Sequence, residues 1–270
     1  MSLVRPLALV ATTLLVGAGQ LAAQCGTAST FYASVNSNLS GVANPLGAAA
    51  AAPAVTQQAA FTSAATGAGC AVSTFGFTGM ASDKDWTGNV ALAPGLTGSV
   101  SVIDPTANSL THIFTKRDFG AYGTGAGGTS DPYFLLWDSG DDKTTGAFRL
   151  SFNNPVYGFG FYGTDGGDVS PRSTYSYRLN GTGAYTAFHG TVARVSGNLF
   201  WWGIISDKPI ESIDIQTSYA WDRLGMDDWT VVYDTDGPSE VVPEPATMTL
   251  LATGLVGMAA ARRRRREANG

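Results

Sequence analysis

The sequence predicts an all-β fold, an antiparallel β-sandwich of jelly-roll type, with an N-terminal signal helix and a C-terminal transmembrane helix. From residue 70 onwards, short runs of β-branched and aromatic residues are separated by Gly, Asn, Asp and Pro, which is the pattern of strands and turns. Roughly eleven such runs follow one another without a helical pattern between them, which favours a sandwich. The 34 glycines and the low charged fraction of 14% agree with a chain rich in strands and turns.

The strands are predicted from residue type and from alternation along the chain. Ile213 and Ile215 fall on one face of a strand, with Ser212, Asp214 and Gln216 on the opposite face. A tight hairpin is predicted at Asn180-Gly181, followed by Gly183. The predicted strands are Val72–Phe77, Gly98–Ile103, Leu110–Phe114, Tyr133–Trp137, Ala147–Phe152, Tyr157–Tyr162, Thr174–Leu179, Thr191–Val195, Phe200–Ile205, Ser212–Gln216 and Trp229–Tyr233.

The N-terminal end has the features of a secretory signal. Met1–Arg5 carries one positive charge, Leu7–Val16 is apolar, and Leu21-Ala22-Ala23 offers small residues to a signal peptidase. The next segment is rich in Ala, Ser and Gly, and we expect it to be only partly ordered, with a short helix at Ala54–Ala65. The predicted organisation is a signal peptide at 1–23, this segment at 24–69, the sandwich at 70–236, a linker at 237–242 and a C-terminal tail at 243–270.

Two cysteines, Cys25 and Cys70, are present in the chain. In the oxidising compartment that a signal peptide implies, an even pair predicts a disulfide. The alternative is two unpaired thiols.

The tail combines three elements in a fixed order. Pro243, Glu244 and Pro245 precede the uncharged run Ala246–Ala261. Proline does not fit inside a helix, so the helix must begin after the motif. The run is slightly shorter than the roughly 20 residues of an unaided span.

A cluster of five consecutive arginines follows the apolar run and acts as the predicted membrane stop. Their side chains can snorkel and so extend a short span. Their charge holds this end on the cytoplasmic side of the inner membrane. The predicted membrane-stop residues are Arg262, Arg263, Arg264, Arg265 and Arg266.

This tail resembles the PEP-CTERM sorting signal of Gram-negative bacteria. The resemblance implies recognition by an exosortase, a membrane cysteine protease-transpeptidase, and cleavage near the motif. It also implies delivery to the cell surface or matrix, often beside exopolysaccharide production. The alternative is a plain C-terminal membrane anchor. Two further stretches, 200–213 and 224–231, resemble an ectodomain found upstream of such tails and the layout of lectin-like jelly rolls.

Charge narrows the classes of partner. The two ends hold six of the 16 basic residues and two of the 21 acidic ones, so the domain between them has a net charge near −9. Such a domain repels phosphate, which argues against nucleic acid as a partner. It suits a secreted protein and could bind cations.

Asp227 and Asp228 open the last predicted strand. Adjacent side chains of a strand point to opposite faces, so at most one carboxylate should face the core side. One of them could bind Ca²⁺ together with loop carbonyls, the only cofactor that the sequence suggests. The alternative is that one Asp caps the preceding loop and the other is solvated.

Trp201 and Trp202 are candidates for stacking on a sugar ring. Strand alternation predicts that one indole points inwards and the other outwards, and an outward Trp is unusual. Core packing is the alternative for both rings. The two histidines, His112 and His189, lack partners at metal-ligand spacing, so no zinc site is expected.

These observations favour a non-catalytic surface or extracellular-matrix protein that is processed by exosortase and contacts exopolysaccharide. The alternative is a secreted hydrolase acting on polysaccharide, which would draw its paired carboxylates mainly from Asp.

Overall fold

The computed structural model describes residues 25–81, 86–103, 109–114, 121–124, 131–138, 147–166, 175–188, 195–217 and 223–235. These residues belong to one compact unit that runs from Ala23 to Pro238. The predicted signal peptide, the C-terminal tail and all but the last residue of the predicted strand Thr191–Val195 lie outside the described residues. Within the described ranges, no helix is long and apolar enough to cross a membrane.

The described chain is built almost wholly from antiparallel strands. One helix, α1 (Ala52–Gly67), follows a single 3-10 turn. The strands are β1 (Ser29–Val35), β2 (Ala71–Phe75), β3 (Asn89–Ala93), β4 (Leu96–Val102), β5 (Ser109–Phe114), β6 (Tyr133–Asp138), β7 (Ala147–Thr164), β8 (Tyr175–Leu179), β9 (Thr186–Ala187), β10 (Leu199–Thr217) and β11 (Arg223–Tyr233). The all-β prediction is therefore confirmed.

Two layers share the long strands β7 and β10. The first half of β7 and the second half of β10 form one layer with β4, β3, β8 and β9. The second half of β7 and the first half of β10 form the other layer with β1, β11, β2, β6 and β5. Between the halves, the register of the β7–β10 pair shifts near Ile205 and Ile210. The two layers are therefore covalently continuous through both strands.

Aromatic rings fill the space between the layers. Phe148 of the first layer stacks on Trp229 of the second, with ring centroids 6.1 Å apart. Phe188 stacks in the same way on Trp202, at 4.4 Å. All four side chains are buried within one continuous core. This interdigitation is the expected core of a sandwich.

The prediction of separate strands at Ala147–Phe152 and Tyr157–Tyr162, and at Phe200–Ile205 and Ser212–Gln216, is wrong in one respect. In each case the two predicted strands are halves of one long strand, β7 or β10. The polar and proline-containing stretches between the halves look like turns in sequence. They are irregularities in a continuing ladder, of the kind that bends a strand.

Residues 25–69 are integral to the fold, which corrects the expectation that the segment 24–69 is only partly ordered. β1 pairs with β10 along its whole length. The predicted helix is present, and its buried side chains Ala54, Phe61 and Ala65 form a second core with the outer face of the sheet. The predicted disulfide between Cys25 and Cys70 is also confirmed. Ala54 and Ala65 are the small side chains of α1 that this second core buries.

Candidate binding face and buried carboxylate pair

One surface of the first layer is polar, and we call it the polar face. It is the side of β4, β7, β10 and β8 opposite the core, because Leu150 and Ile213 face inwards on the same strands. Ser99, Ser151 and Ser212 form one row across the strands. The next row, which we call the arginine row, consists of Ser101, Arg149, Asp214 and Arg178. Gln216 and Ser176 form the third row.

Asp214 is the fixed centre of the polar face. Its carboxylate is 0% exposed and lies between two arginines from the neighbouring strands. Arg149 donates from Nε to Oδ1 at 2.6 Å and from Nη2 to Oδ2 at 3.0 Å. Arg178 donates from Nε and Nη2 to Oδ2, at 2.9 and 2.6 Å. These hydrogen bonds to Asp214 raise the pKa of Arg149 above its ordinary value.

Tyr185 completes the arginine row at the edge of the sheet. The guanidinium carbon of Arg178 lies 4.6 Å from the centre of the Tyr185 ring, which is a cation–π contact. Burial, and then the charge of Asp214, raises the pKa of Tyr185. The hairpin that delivers Tyr185 is the predicted one, with Asn180 and Gly181 both at positive φ. The row therefore presents two cations from β7 and β8 and one aromatic ring from the connection between β8 and β9.

Asp227 and Asp228 form a second polar cluster, on the other layer. Both carboxylates reach the same hydroxyl, because Thr124 Oγ1 lies 3.2 Å from an oxygen of each. The backbone N–H of Thr124 also donates to Asp227 at 2.7 Å. The expectation that the two side chains diverge is wrong, since Asp228 has φ of +50° and the register with β7 shifts at this point. A bulge re-aims one side chain and so cancels the alternation.

The carboxylate pair is electrostatically strained. Asp227 is 1% exposed. Burial first, and the charge of Asp228 second, raise the pKa of Asp227 to about 7. Burial, together with the charge of Asp131, also raises the pKa of Asp228. The pair therefore holds a proton at pH values where an ordinary carboxyl group is ionised.

We expect the free energy of unfolding to fall as the pH rises from about 4 to about 7. The folded chain keeps the proton on Asp227 up to its raised pKa, whereas the unfolded chain releases it near the ordinary value of 3.8. The proton therefore favours the folded state fully below that value, and the contribution is lost as the pH passes the folded pKa. The slope is at most about 1.4 kcal/mol per pH unit. Urea unfolding at a series of pH values, with chelator present, measures it.

Asp228→Asn is the informative variant for this pH dependence. It removes the neighbouring charge, and asparagine tolerates the left-handed backbone better than most residues. We expect a higher free energy of unfolding at pH 8 and a flatter profile. Asp207→Asn, an exposed aspartate on the bend of β10, is the control and should leave the profile unchanged. A flat profile in the parent protein would contradict the raised pKa.

Hydrogen-bond donors of the protein contact the carboxylate pair. The oxygens of Asp227 accept hydrogen bonds from the N–H and O–H groups of Thr124 and from the N–H of Asp228. Among the residues that the structure describes, no group of three or more His, Cys, Asp or Glu side chains could hold a metal ion. Calcium at Asp227 or Asp228 stays a prediction. If calcium binds there, the melting temperature should be several degrees higher in millimolar calcium than in chelator. Equal melting temperatures would contradict calcium binding.

Trp201 and Trp202 are both 0% exposed, so the expectation that one points outwards is wrong. Trp202 does face the core between the layers. Trp201 faces the opposite side of β10, where Phe61 of α1 lies at a centroid distance of 5.7 Å. The helix and the N-terminal segment cover the side that would otherwise be solvent. In this structure, neither indole offers a face to a sugar.

The polar face could be predicted from the sequence only in part. Alternation placed Ser212, Asp214 and Gln216 together on one side of a strand, and the structure agrees. It did not bring Arg149 and Arg178 to Asp214, because the register between strands far apart in sequence is not encoded locally. Single positively charged residues between apolar neighbours, as in Phe148-Arg149-Leu150 and Tyr177-Arg178-Leu179, were the available signal.

Comparison with known proteins identifies the tail. Residues 241–266 match the model of the PEP-CTERM protein-sorting motif, which confirms the prediction made from Pro243, Glu244 and Pro245. The matched range extends to the end of the arginine cluster, and it includes Arg262, Arg263, Arg264, Arg265 and Arg266. These residues lie beyond the part of the chain that the structure describes. The role of the five arginines as a membrane stop therefore stays a prediction.

Two further comparisons concern the whole chain. None of the curated proteins compared with it matches. Among solved structures, a point mutant of CBM29-2, a family 29 carbohydrate-binding module studied for ligand recognition, aligns at 11% identity over 61% of this chain and 99% of that one. The TM-score is 0.30, at which the likeness supports no statement about what this chain binds.

Proposed function

We propose that the chain is an exported, non-catalytic protein of the cell surface or extracellular matrix, processed by exosortase, that binds polysaccharide on its polar face. The observation that carries the binding proposal is the set of serine, arginine and glutamine side chains on adjacent strands around Asp214, with Tyr185 beside Arg178. These side chains are exposed or half-buried. Hydroxyl and amide groups both donate and accept, as sugar hydroxyls do. Strands hold such groups in fixed positions, which lowers the entropy lost on binding.

The sorting part of the proposal rests on the motif and on the arginines behind it. Replacing Pro243-Glu244-Pro245 by three alanines should leave the precursor in the inner membrane. Cell fractionation and the apparent mass of the protein measure this, with a variant carrying three alanines at Thr235, Asp236 and Gly237 as a control for changes just outside the motif. Normal maturation and surface delivery of the motif variant would contradict processing at this motif.

The binding part is tested on a polysaccharide array with the purified full-length chain. Gln216→Ala and Tyr185→Ala should each weaken binding by roughly tenfold, about 1.4 kcal/mol. Gln58→Ala is the matched control, because Gln58 is also a half-buried glutamine but lies on α1. If the chain binds no polysaccharide on the array, or if Gln58→Ala weakens binding as much as the two variants do, binding on the polar face is contradicted.

A hydrolase is less well supported by the described residues. Asp227 has the raised pKa of a general acid, but its side chain is buried and engaged by Thr124. A general acid must reach the bond that it protonates. The carboxylate pair therefore fits a structural role within the second layer better than a catalytic one.

A further inference from the structure

We infer that the polar face takes an acidic polysaccharide, with a sugar carboxylate seated on the outer edges of Arg149 and Arg178. The inference rests on the proposed function that this face binds polysaccharide, and it adds the chemical class of the polymer. It is carried by the unused donors and the unbalanced charge of the arginine row.

The two guanidinium groups have donors left over. Each carries five N–H groups. Asp214 accepts two from Arg149 and two from Arg178. The remaining three on each arginine have no hydrogen-bond acceptor among the described residues. Arg149 and Arg178 are only half-buried, so these groups are within reach of a ligand.

The charge of the row is also unbalanced. Two guanidinium cations surround the single carboxylate of Asp214, so the row keeps one net positive charge in a chain whose net charge is −5. A fully neutralised row would need a second anion, and among the described residues only Asp214 forms a salt bridge with either arginine. A ligand that brings its own carboxylate supplies that anion.

The geometry favours a carboxylate over a neutral sugar. A guanidinium group donates only, and its planar fork matches the two oxygens of a carboxylate. Asp214, held at 0% exposure, fixes the orientation of both planes before any ligand arrives. Ser101 lies beside Arg149, and Tyr185 lies beside Arg178. The hydroxyl group of Ser101 can contact the hydroxyls of an adjoining sugar ring, and the ring of Tyr185 can contact its apolar face.

The test compares one polymer with and without its charge. Polygalacturonate and its fully methyl-esterified form share a backbone, and we expect the full-length chain to bind the acid at least roughly tenfold more tightly. Added salt should weaken binding of the acid much more than that of the ester. Dextran sulfate is a third probe, for attraction to any polyanion.

Two variants locate the effect. Arg149→Gln should reduce polygalacturonate binding roughly tenfold, while Arg178 keeps Asp214 paired. Ser101→Glu adds a carboxylate beside Arg149 at an exposed position and should reduce it similarly without touching the buried ion pair. Lys208→Gln removes one positive charge from the exposed bend of β10 and should change nothing.

The outcomes separate this inference from the proposed function. If the ester binds as well as the acid and Gln216→Ala weakens both, polysaccharide binding stands and the acidic class is wrong. If dextran sulfate binds as tightly as polygalacturonate, the face attracts charge without recognising a carboxylate, and the inference is overturned. If none of these polymers nor any on the array binds, the proposed function fails as well.

Discussion

Replacing either Trp201 or Trp202 by alanine should lower the free energy of unfolding by about 3 to 5 kcal/mol. The two rings lie on opposite sides of β10, yet each is fully buried. Trp202 packs against Phe188 and Tyr177 between the layers, at centroid distances of 4.4 and 4.8 Å. Trp201 packs against Phe61 and Tyr162, at 5.7 and 4.9 Å. Each truncation therefore leaves a cavity in a different core.

Urea unfolding followed by circular dichroism measures both losses. Trp→Phe at the same positions keeps a ring in place and should cost less than the alanine variants. Because the two sites lie in separate cores, the losses should be close to additive in the double variant. A loss below about 1 kcal/mol for either alanine variant would mean that the ring concerned is exposed.

Removing the disulfide should cost about 4 kcal/mol of unfolding free energy. The bond between Cys25 and Cys70 closes a loop of 45 residues, and closing a loop of that length restricts the unfolded chain by roughly this amount. The loop contains β1 and α1, so removing the disulfide should also loosen the packing of α1 over Trp201. Chemical denaturation with and without dithiothreitol measures the effect.

The variant with serine at both Cys25 and Cys70 provides the control. It should match the reduced parent protein in stability and should not respond to dithiothreitol. If the parent protein is equally stable oxidised and reduced, packing of α1 alone fixes the N-terminal segment and the disulfide contributes little.

The sequence predicts most strands well and their connections poorly, for a physical reason. Strand formation follows local residue type and alternation, so β4, β5, β6, β8 and β11 lie within a few residues of their predictions, apart from an earlier start for β11. Continuity through a bend depends on hydrogen bonds to neighbouring strands, which is why β7 and β10 each appear as two strands in sequence. β1 was missed because its apolar and polar residues follow no clear alternation, and its stability comes from pairing with β10.

The candidate site follows the same rule. The polar face of β10 could be predicted from alternation in one strand. The convergence of Asp227 and Asp228 could not be predicted, because it depends on a residue with left-handed backbone conformation at a bulge. An Asp-Asp pair in a sequence does not indicate such a bulge. The burial of Trp201 could not be predicted either, since it requires knowing that α1 lies across that side of the sheet.

The pairing of β1 with β10 also governs the order in which the domain can fold. The partner of Ser29 is Ile205, so nearly the whole domain must emerge before the first strand finds its place. The disulfide joins residues much closer in sequence and can form earlier. Contacts over such long separations make folding slow. Until β10 is available, β1 and the apolar side of α1 stay uncovered, and a chain that still lacks β10 is the form most exposed to aggregation.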